Sequence, residues 1–165
     1  MGGLAVRNLY AVVFKHGIMM VFLLTAATVQ AEWSLHDTAT ACVLETEEIT
    51  LPDGYQDTRV RLNINNERLL VVTGSNIDTG FDDTALQVDG RAVIPADTAE
   101  DEQNLRFDAH MPTIIEQFRK GNRVRVYLRF WPTYPATQRY EAAFSLAGFT
   151  RAWNDYAACR DRISQ

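Results

Sequence analysis

The sequence predicts a mainly β protein: an antiparallel, two-sheet, sandwich-like domain with one short helix and an amphipathic C-terminal helix. Three observations point there. Short runs in which apolar and polar residues alternate fill most of the chain, each bounded by Asn, Asp, Gly or Pro. Two segments, both in the last third, place apolar residues at helical spacing instead. No repeat, low-complexity tract or long linker divides the chain.

The first element has export character. Arg7, Lys15 and His16 make a basic leader without a carboxylate, residues 18–29 form an apolar run, and small residues precede Glu32. That run is shorter than the roughly 20 residues a membrane-spanning helix needs. Residues 1–31 are therefore read as a signal peptide cleaved after Ala31, and residues 32–165 as a single β-rich domain that is periplasmic or secreted. No transmembrane segment is expected once the signal is removed.

Thr58 to Asn65 alternates polar with apolar, Asn65-Asn66-Glu67-Arg68 supplies a turn, and Leu69 to Thr73 follows, the pattern of an antiparallel hairpin. Leu86-Gln87-Val88 and Ala92-Val93-Ile94 flank Asp89-Gly90, a favoured two-residue hairpin turn. Leu105 to Phe107 reads as a weaker strand. In Val124 to Phe130 the residues Val124, Val126, Leu128 and Phe130 share one face, and Arg125, Tyr127 and Arg129 share the other. Arg139 to Phe144 is expected to pair with it across the Pro132–Pro135 turn region. Pro112 to Lys120 has Pro near its start, Ile115 and Phe118 three apart, and Gly121 after basic residues, which predicts a short helix. Phe149, Ala152, Trp153, Tyr156 and Ala157 predict a helix with a core-facing stripe, capped by Ser145 or Thr150.

Composition narrows the function. Residues 32–165 hold 14 Lys and Arg against 21 Asp and Glu, which argues against a nucleic-acid partner. The two cysteines, Cys42 and Cys159, lie far apart in sequence. In an oxidising compartment such a pair is expected to form a disulfide pinning the C-terminal helix to the N-terminal segment; two free thiols or a metal site are the alternatives. Zinc asks for about four ligands, and only His36 and His110 remain beside the cysteines, so neither a metal nor a cofactor is expected.

No catalytic constellation stands out, and the chain is not expected to be an enzyme: G-x-S-x-G, H-E-x-x-H, a Walker loop and G-x-G-x-x-G are all missing. His36-Asp37 reads as solvated loop. Asn76, Asp78, Asp82, Asp83 and Asp89 around Gly80, and Asp97, Glu100, Asp101 and Glu102, invite a calcium reading. Neither run fits the calcium-loop spacing, so turn formation and a solvated loop explain them better.

The most suggestive surface is basic and aromatic. Arg119, Lys120 and Arg123 lead into the strand carrying Arg125, Tyr127 and Arg129, with Trp131, Tyr134 and Arg139 around the next turn. Guanidinium groups beside aromatic rings suit carboxylates and phosphates. The candidate binding patch is therefore Arg123, Arg125, Tyr127, Arg129, Trp131 and Tyr134. The competing account makes the arginines cross-strand partners of Glu141 and other carboxylates, with Trp131 buried under the turn.

The segment Phe144-Ser145-Leu146-Ala147-Gly148-Phe149-Thr150-Arg151-Ala152-Trp153, with Trp33 before Cys42, resembles the invasion-associated locus B family of exported bacterial proteins. The resemblance implies a periplasmic or surface β-sandwich without a recognised active site, linked in some bacteria to host-cell interaction. Two departures stand out: the family pattern has both cysteines near the N-terminus, and Phe130 to Thr133 lies outside it. No functional residue is carried over. The expectation is a non-enzymatic domain that binds a protein or an anionic envelope component. The alternatives are a periplasmic enzyme of unrecognised type, marked by a cleft with converging polar groups, and a structural component of an envelope assembly.

Overall fold

The computed structural model describes residues 33–66, 68–132 and 138–165; the leader reading of residues 1–31 lies outside them. Two antiparallel sheets pack face to face. The larger is built from β1 (Trp33–Asp37), β2 (Cys42–Thr46), β3 (Ile49–Pro52), β4 (Asp57–Asn65), β5 (Arg68–Thr73), β8 (Thr98–Asp101) and β9 (Asn104–Phe107), in the order β1-β2-β4-β5-β9-β8 with β3 also on β4. The smaller comprises β6 (Ala85–Val88), β7 (Ile94–Pro95), β10 (Arg123–Leu128) and β11 (Tyr140–Ser145), in the order β11-β10-β6-β7. Helices α1 (Met111–Lys120) and α2 (Phe149–Ile163) complete the fold. This is the sandwich-like, mainly β class that the alternating runs predict.

Alternation sets the core. Val60, Leu62 and Ile64 of β4 face inward beside Leu69 and Val71 of β5, and Val124, Val126 and Leu128 face them from β10 with Ala142 and Phe144 of β11. The hairpin turn falls where Asn65 pairs with Arg68, and Asn66 takes the positive φ that asparagine tolerates. β4 is long enough to serve two partners in succession. Its far half pairs with β2 and its near half with β3, and the Thr46 hydroxyl accepts the Leu62 N–H at 2.9 Å where one partner gives way to the other. The β3–β4 loop is tied down by Asp53, whose carboxylate accepts the N–H groups of Tyr55 and Gln56, both at 2.8 Å, and the Ser75 hydroxyl at 2.6 Å. A side chain at Gly54, which has φ +104°, would lie 2.7 Å from the Tyr140 hydroxyl, so both conformation and space call for glycine.

At one end, α2 lies on β1 and β2, and the Cys42–Cys159 disulfide joins them with Cα atoms 6.1 Å apart. An aromatic cluster fills the space beneath. Phe149 meets Trp33 at 4.9 Å and Phe118 at 5.2 Å between ring centres, both edge-on, and the Trp33 indole N–H donates to the Ser145 carbonyl at 3.2 Å.

Several sequence expectations shift. Asp89 and Gly90 both take positive φ and the Arg91 N–H reaches the Val88 carbonyl, as a tight hairpin turn requires. The strand after it, however, is only Ile94–Pro95, because Pro95 offers no N–H and Val93 is turned to solvent. His36 and Asp37 belong to β1 rather than to a loop, though both are exposed; His36 lies 3.3 Å from Glu45 and Asp37 is held by Arg162. Neither Ser145 nor Thr150 caps α2: the cap is Gly148 in the left-handed region. Ser145 Oγ accepts the Ala147 N–H one step earlier, and Thr150 is already inside the helix. Phe149, Ala152 and Tyr156 are buried as expected, whereas Trp153 is only half-buried, stacked outside Phe149 and Tyr156.

Candidate functional site

The outer face of the smaller sheet carries most of the residues singled out by sequence. β10 is one of its two interior strands, hydrogen-bonded to β6 and β11 at once, so the pleat that buries Val124, Val126 and Leu128 raises Arg125 and Tyr127 on the far side. In register, Arg125 lies between Gln87 and Ala143, and Tyr127 between Ala85 and Glu141.

The face is a network of partners. Arg125 Nε reaches Glu141 Oε1 at 2.9 Å, a diagonal cross-strand pair. The Tyr127 hydroxyl donates to Gln87 Oε1 at 2.8 Å, Gln87 Nε2 donates to the Arg91 carbonyl, and the Arg139 guanidinium lies 4.3 Å above the Tyr127 ring. Arg129 makes the strongest contact. It grips Asp83 with two parallel bonds, Nε to Oδ1 at 2.8 Å and a terminal nitrogen to Oδ2 at 2.7 Å, and stacks 4.1 Å from the Phe81 ring. Those hydrogen bonds hold the Asp83 carboxyl below the usual carboxylate range, with the Arg129 and Arg139 charges adding to them, and raise Arg129 in return. Arg125 is therefore a cross-strand partner of Glu141, whereas Arg129, just past the end of β10, pairs with Asp83 in the segment just before β6.

Arg123 and Trp131 differ. The Arg123 side chain is exposed and forms no ion pair among the described residues, while its N–H is fixed by Asp89 Oδ1 at 3.0 Å. It borders an open cleft of about 450 Å³ with Asn122, Asp89, Gly90 and Arg125. Asp89 takes the N–H groups of both Asn122 and Arg123, and these lower its pKa. Trp131 is held by its N–H on the Asn76 carbonyl, yet its ring is 65% exposed, so it is not buried under the turn. It stands beside a second cleft of about 440 Å³ lined by Asn76, Asp78, Gly80 and Glu102. Tyr134 lies outside the described residues.

Arg119 and Lys120, adjacent in sequence, are directed elsewhere: Arg119 reaches Asn154 of α2 at 2.9 Å and Lys120 pairs with Glu116 along α1. Phe81, Asp83 and Gln87 belong to the face and were not singled out as part of it. Asp83 precedes Arg129 by 46 residues, and no sequence signal links them.

The acidic runs are spent on structure. Asp78 accepts the Gly80 N–H, Asn76 donates to Glu102, Asp97 takes the N–H groups of Asp108 and Ala109, Glu100 pairs with Arg68, and Asp101 holds Gln103 and Asn104. The one grouping of metal-type donors among the described residues is Asp37 with Cys42 and Cys159, whose sulfurs are consumed by the disulfide. No helix among the described residues is long and apolar enough to cross a membrane.

Fold and face together define a disulfide-pinned, helix-covered β-sandwich with an arginine and aromatic surface on its smaller sheet. No family model matches the chain, and no curated protein matches it in sequence. Among solved structures the fold is similar to the crystal structure of invasion associated protein B from Bartonella henselae, with a TM-score of 0.55 over 79% of this chain and 94% of that one at 19% identity. At that identity the likeness shows a loose structural relation, that of the fold.

Proposed function

We propose that this protein is a non-enzymatic periplasmic or secreted domain that binds a protein or an anionic envelope component through the outer face of the smaller sheet and the Trp131 corner. The observation that carries the reading is Trp131, a large aromatic 65% exposed three residues beyond β10, the strand that sets Arg123 opposite Ser145 and Arg125 opposite Ala143. Exposed indole beside guanidinium is the combination that recurs in the anchoring residues of protein interfaces, and guanidinium pairs with carboxylate and phosphate alike. Because Arg125 and Arg129 already hold Glu141 and Asp83, the charge available to a partner sits on Arg123 and on Arg139, which lies over the Tyr127 ring. The disulfide favours an oxidising compartment, and the structural neighbour's name associates it with invasion, in keeping with a role in contact between cell and surroundings.

Affinity capture from envelope extracts tests the proposal. Arg123→Ser and Trp131→Ala should each reduce capture strongly and leave the unfolding midpoint nearly unchanged, since neither side chain is buried and Arg123 has no ion pair among the described residues. Capture unchanged in the double variant would remove this face from consideration.

A further inference from the structure

The smaller sheet ends on β11, and this edge differs from the others in the sandwich. An open strand edge is a template for another chain, and folded proteins blunt it with brevity, proline, charge or a covering element. β7 has two residues and ends in Pro95, and β3 has four and ends in Pro52. β8 carries Glu100 and Asp101 and has an irregular register between Ala99 and Asp101. β1 is packed by α2, whose Arg162 holds Asp37. β11 has six residues, no proline and one charge, Glu141, which Arg125 already neutralises; β3 of the larger sheet comes near it without pairing to it.

The register shows which main-chain groups face outward. The Leu146 N–H donates to the Asn122 carbonyl, and carrying that ladder back two residues at a time makes Phe144, Ala142 and Tyr140 the residues bonded to β10. The N–H and C=O groups of Glu141, Ala143 and Ser145 therefore point away from the sheet. At the Ser145 end the carbonyl is occupied by the Trp33 indole. Glu141 and Ala143 remain, both exposed, with no further strand paired to β11 among the described residues.

We propose that this edge pairs with β11 of a second copy, antiparallel about a two-fold axis between the two Ala142 residues, with Glu141 of each copy opposite Ala143 of the other. Each such pair exchanges both main-chain hydrogen bonds, and the register uses the outward groups that Trp33 leaves uncovered. Across the outer face each row then runs from Tyr127 to Glu141, and on to Ala143 and Arg125 of the second copy. Every Glu141 is flanked by its own Arg125 and, over the small Ala143 methyl, by the other copy's Arg125. Alanines at the axis leave no bulk in the way. Placing Ala143 opposite itself would instead bring the Ser145 carbonyl into the ladder beneath Trp33. The contact uses the same patch on both copies, so it closes as a dimer with one continuous sheet.

Sedimentation equilibrium of the disulfide-bonded protein should give twice the chain mass at micromolar concentration. Ala143→Pro removes an outward N–H where an edge strand tolerates proline, and Ala143→Lys keeps that N–H but adds a charge. Both should raise the dissociation constant about tenfold or more with circular dichroism unchanged. Register is read by oxidative cross-linking, since no free cysteine is present among the described residues. A mixture of Glu141→Cys and Ala143→Cys chains should link, and neither variant alone. A single-chain mass up to millimolar concentration, a dimer indifferent to both substitutions at Ala143, or self-linking of Ala143→Cys would overturn the proposal. No envelope component enters these measurements, so their failure is distinct from failure of the capture experiment.

Discussion

The disulfide end and the outer face of the smaller sheet are built from similar residue types, aromatics beside arginines, yet they are held by different physics. At the disulfide end Trp33, Phe118 and Phe149 are buried against one another, with Tyr156 buried beneath Trp153, and stability follows from apolar area removed from water. On the outer face Arg125, Tyr127, Arg129 and Arg139 remain partly in water and are fixed by directional contacts with Glu141, Gln87, Asp83 and Phe81. Burial carries large free energies and screened pairs carry small ones. The first region should thus govern whether the chain folds and the second what it presents.

The largest effect expected is at Phe149, fully buried at the centre of the aromatic cluster. Phe149→Ala should cost about 3–5 kcal/mol in denaturant unfolding. Trp153→Ala, one helical turn on and half-exposed, should cost distinctly less. Equal losses at the two sites would mean that α2 buries a wider face than the contacts indicate.

Next comes the covalent link. Replacing Cys42 and Cys159 together by Ala should lower stability by about 2–5 kcal/mol, because the unfolded chain loses a long-range constraint. An unfolding midpoint unchanged by mild reduction would show that the aromatic cluster alone holds α2 in place.

The smallest effects belong to the arginine face and separate its two ion pairs. Arg129→Ser should cost about 1–3 kcal/mol, since its side chain is 14% exposed and its loss strands Asp83. Arg125→Ser should cost less than about 1 kcal/mol, its pair with Glu141 lying largely in water. Asp83 also gives the face a pH signature. Its folded pKa is lowered, so its contribution is fully present above the ordinary value of 3.8 and is lost as pH falls through the depressed value. Melting temperature should therefore decline below about that pH, and Asp83→Asn should flatten the decline; an unaltered acid limb would assign it to other carboxylates such as Asp53, where hydrogen bonds from Ser75, Gln56 and Tyr55 outweigh the opposing effect of burial.

Local pattern determined a good deal. Period-2 alternation in Thr58–Asn65 and Val124–Phe130 fixed both strands and their buried faces, because a strand with one apolar face has only one way to turn it inward, although the second ends at Leu128 and Phe130 joins only an isolated bridge to Ile77. Asp89-Gly90 fixed its turn through the left-handed backbone those residues accept. Phe149 and Tyr156 fixed the buried stripe of α2, and the widely spaced pair Cys42 and Cys159 anticipated the bond. Tertiary structure alone decided that Arg129 would spend its charge on Asp83, that Trp131 would stay in water, that β8 would form from an acidic run, and that β11 rather than β10 would be the open edge. The reason is range. Turn chemistry and face selection depend on neighbours within a few residues, whereas an ion pair across 46 residues or the last place in a sheet depends on which strands meet, and hydrogen-bonding edges look alike in every strand's sequence.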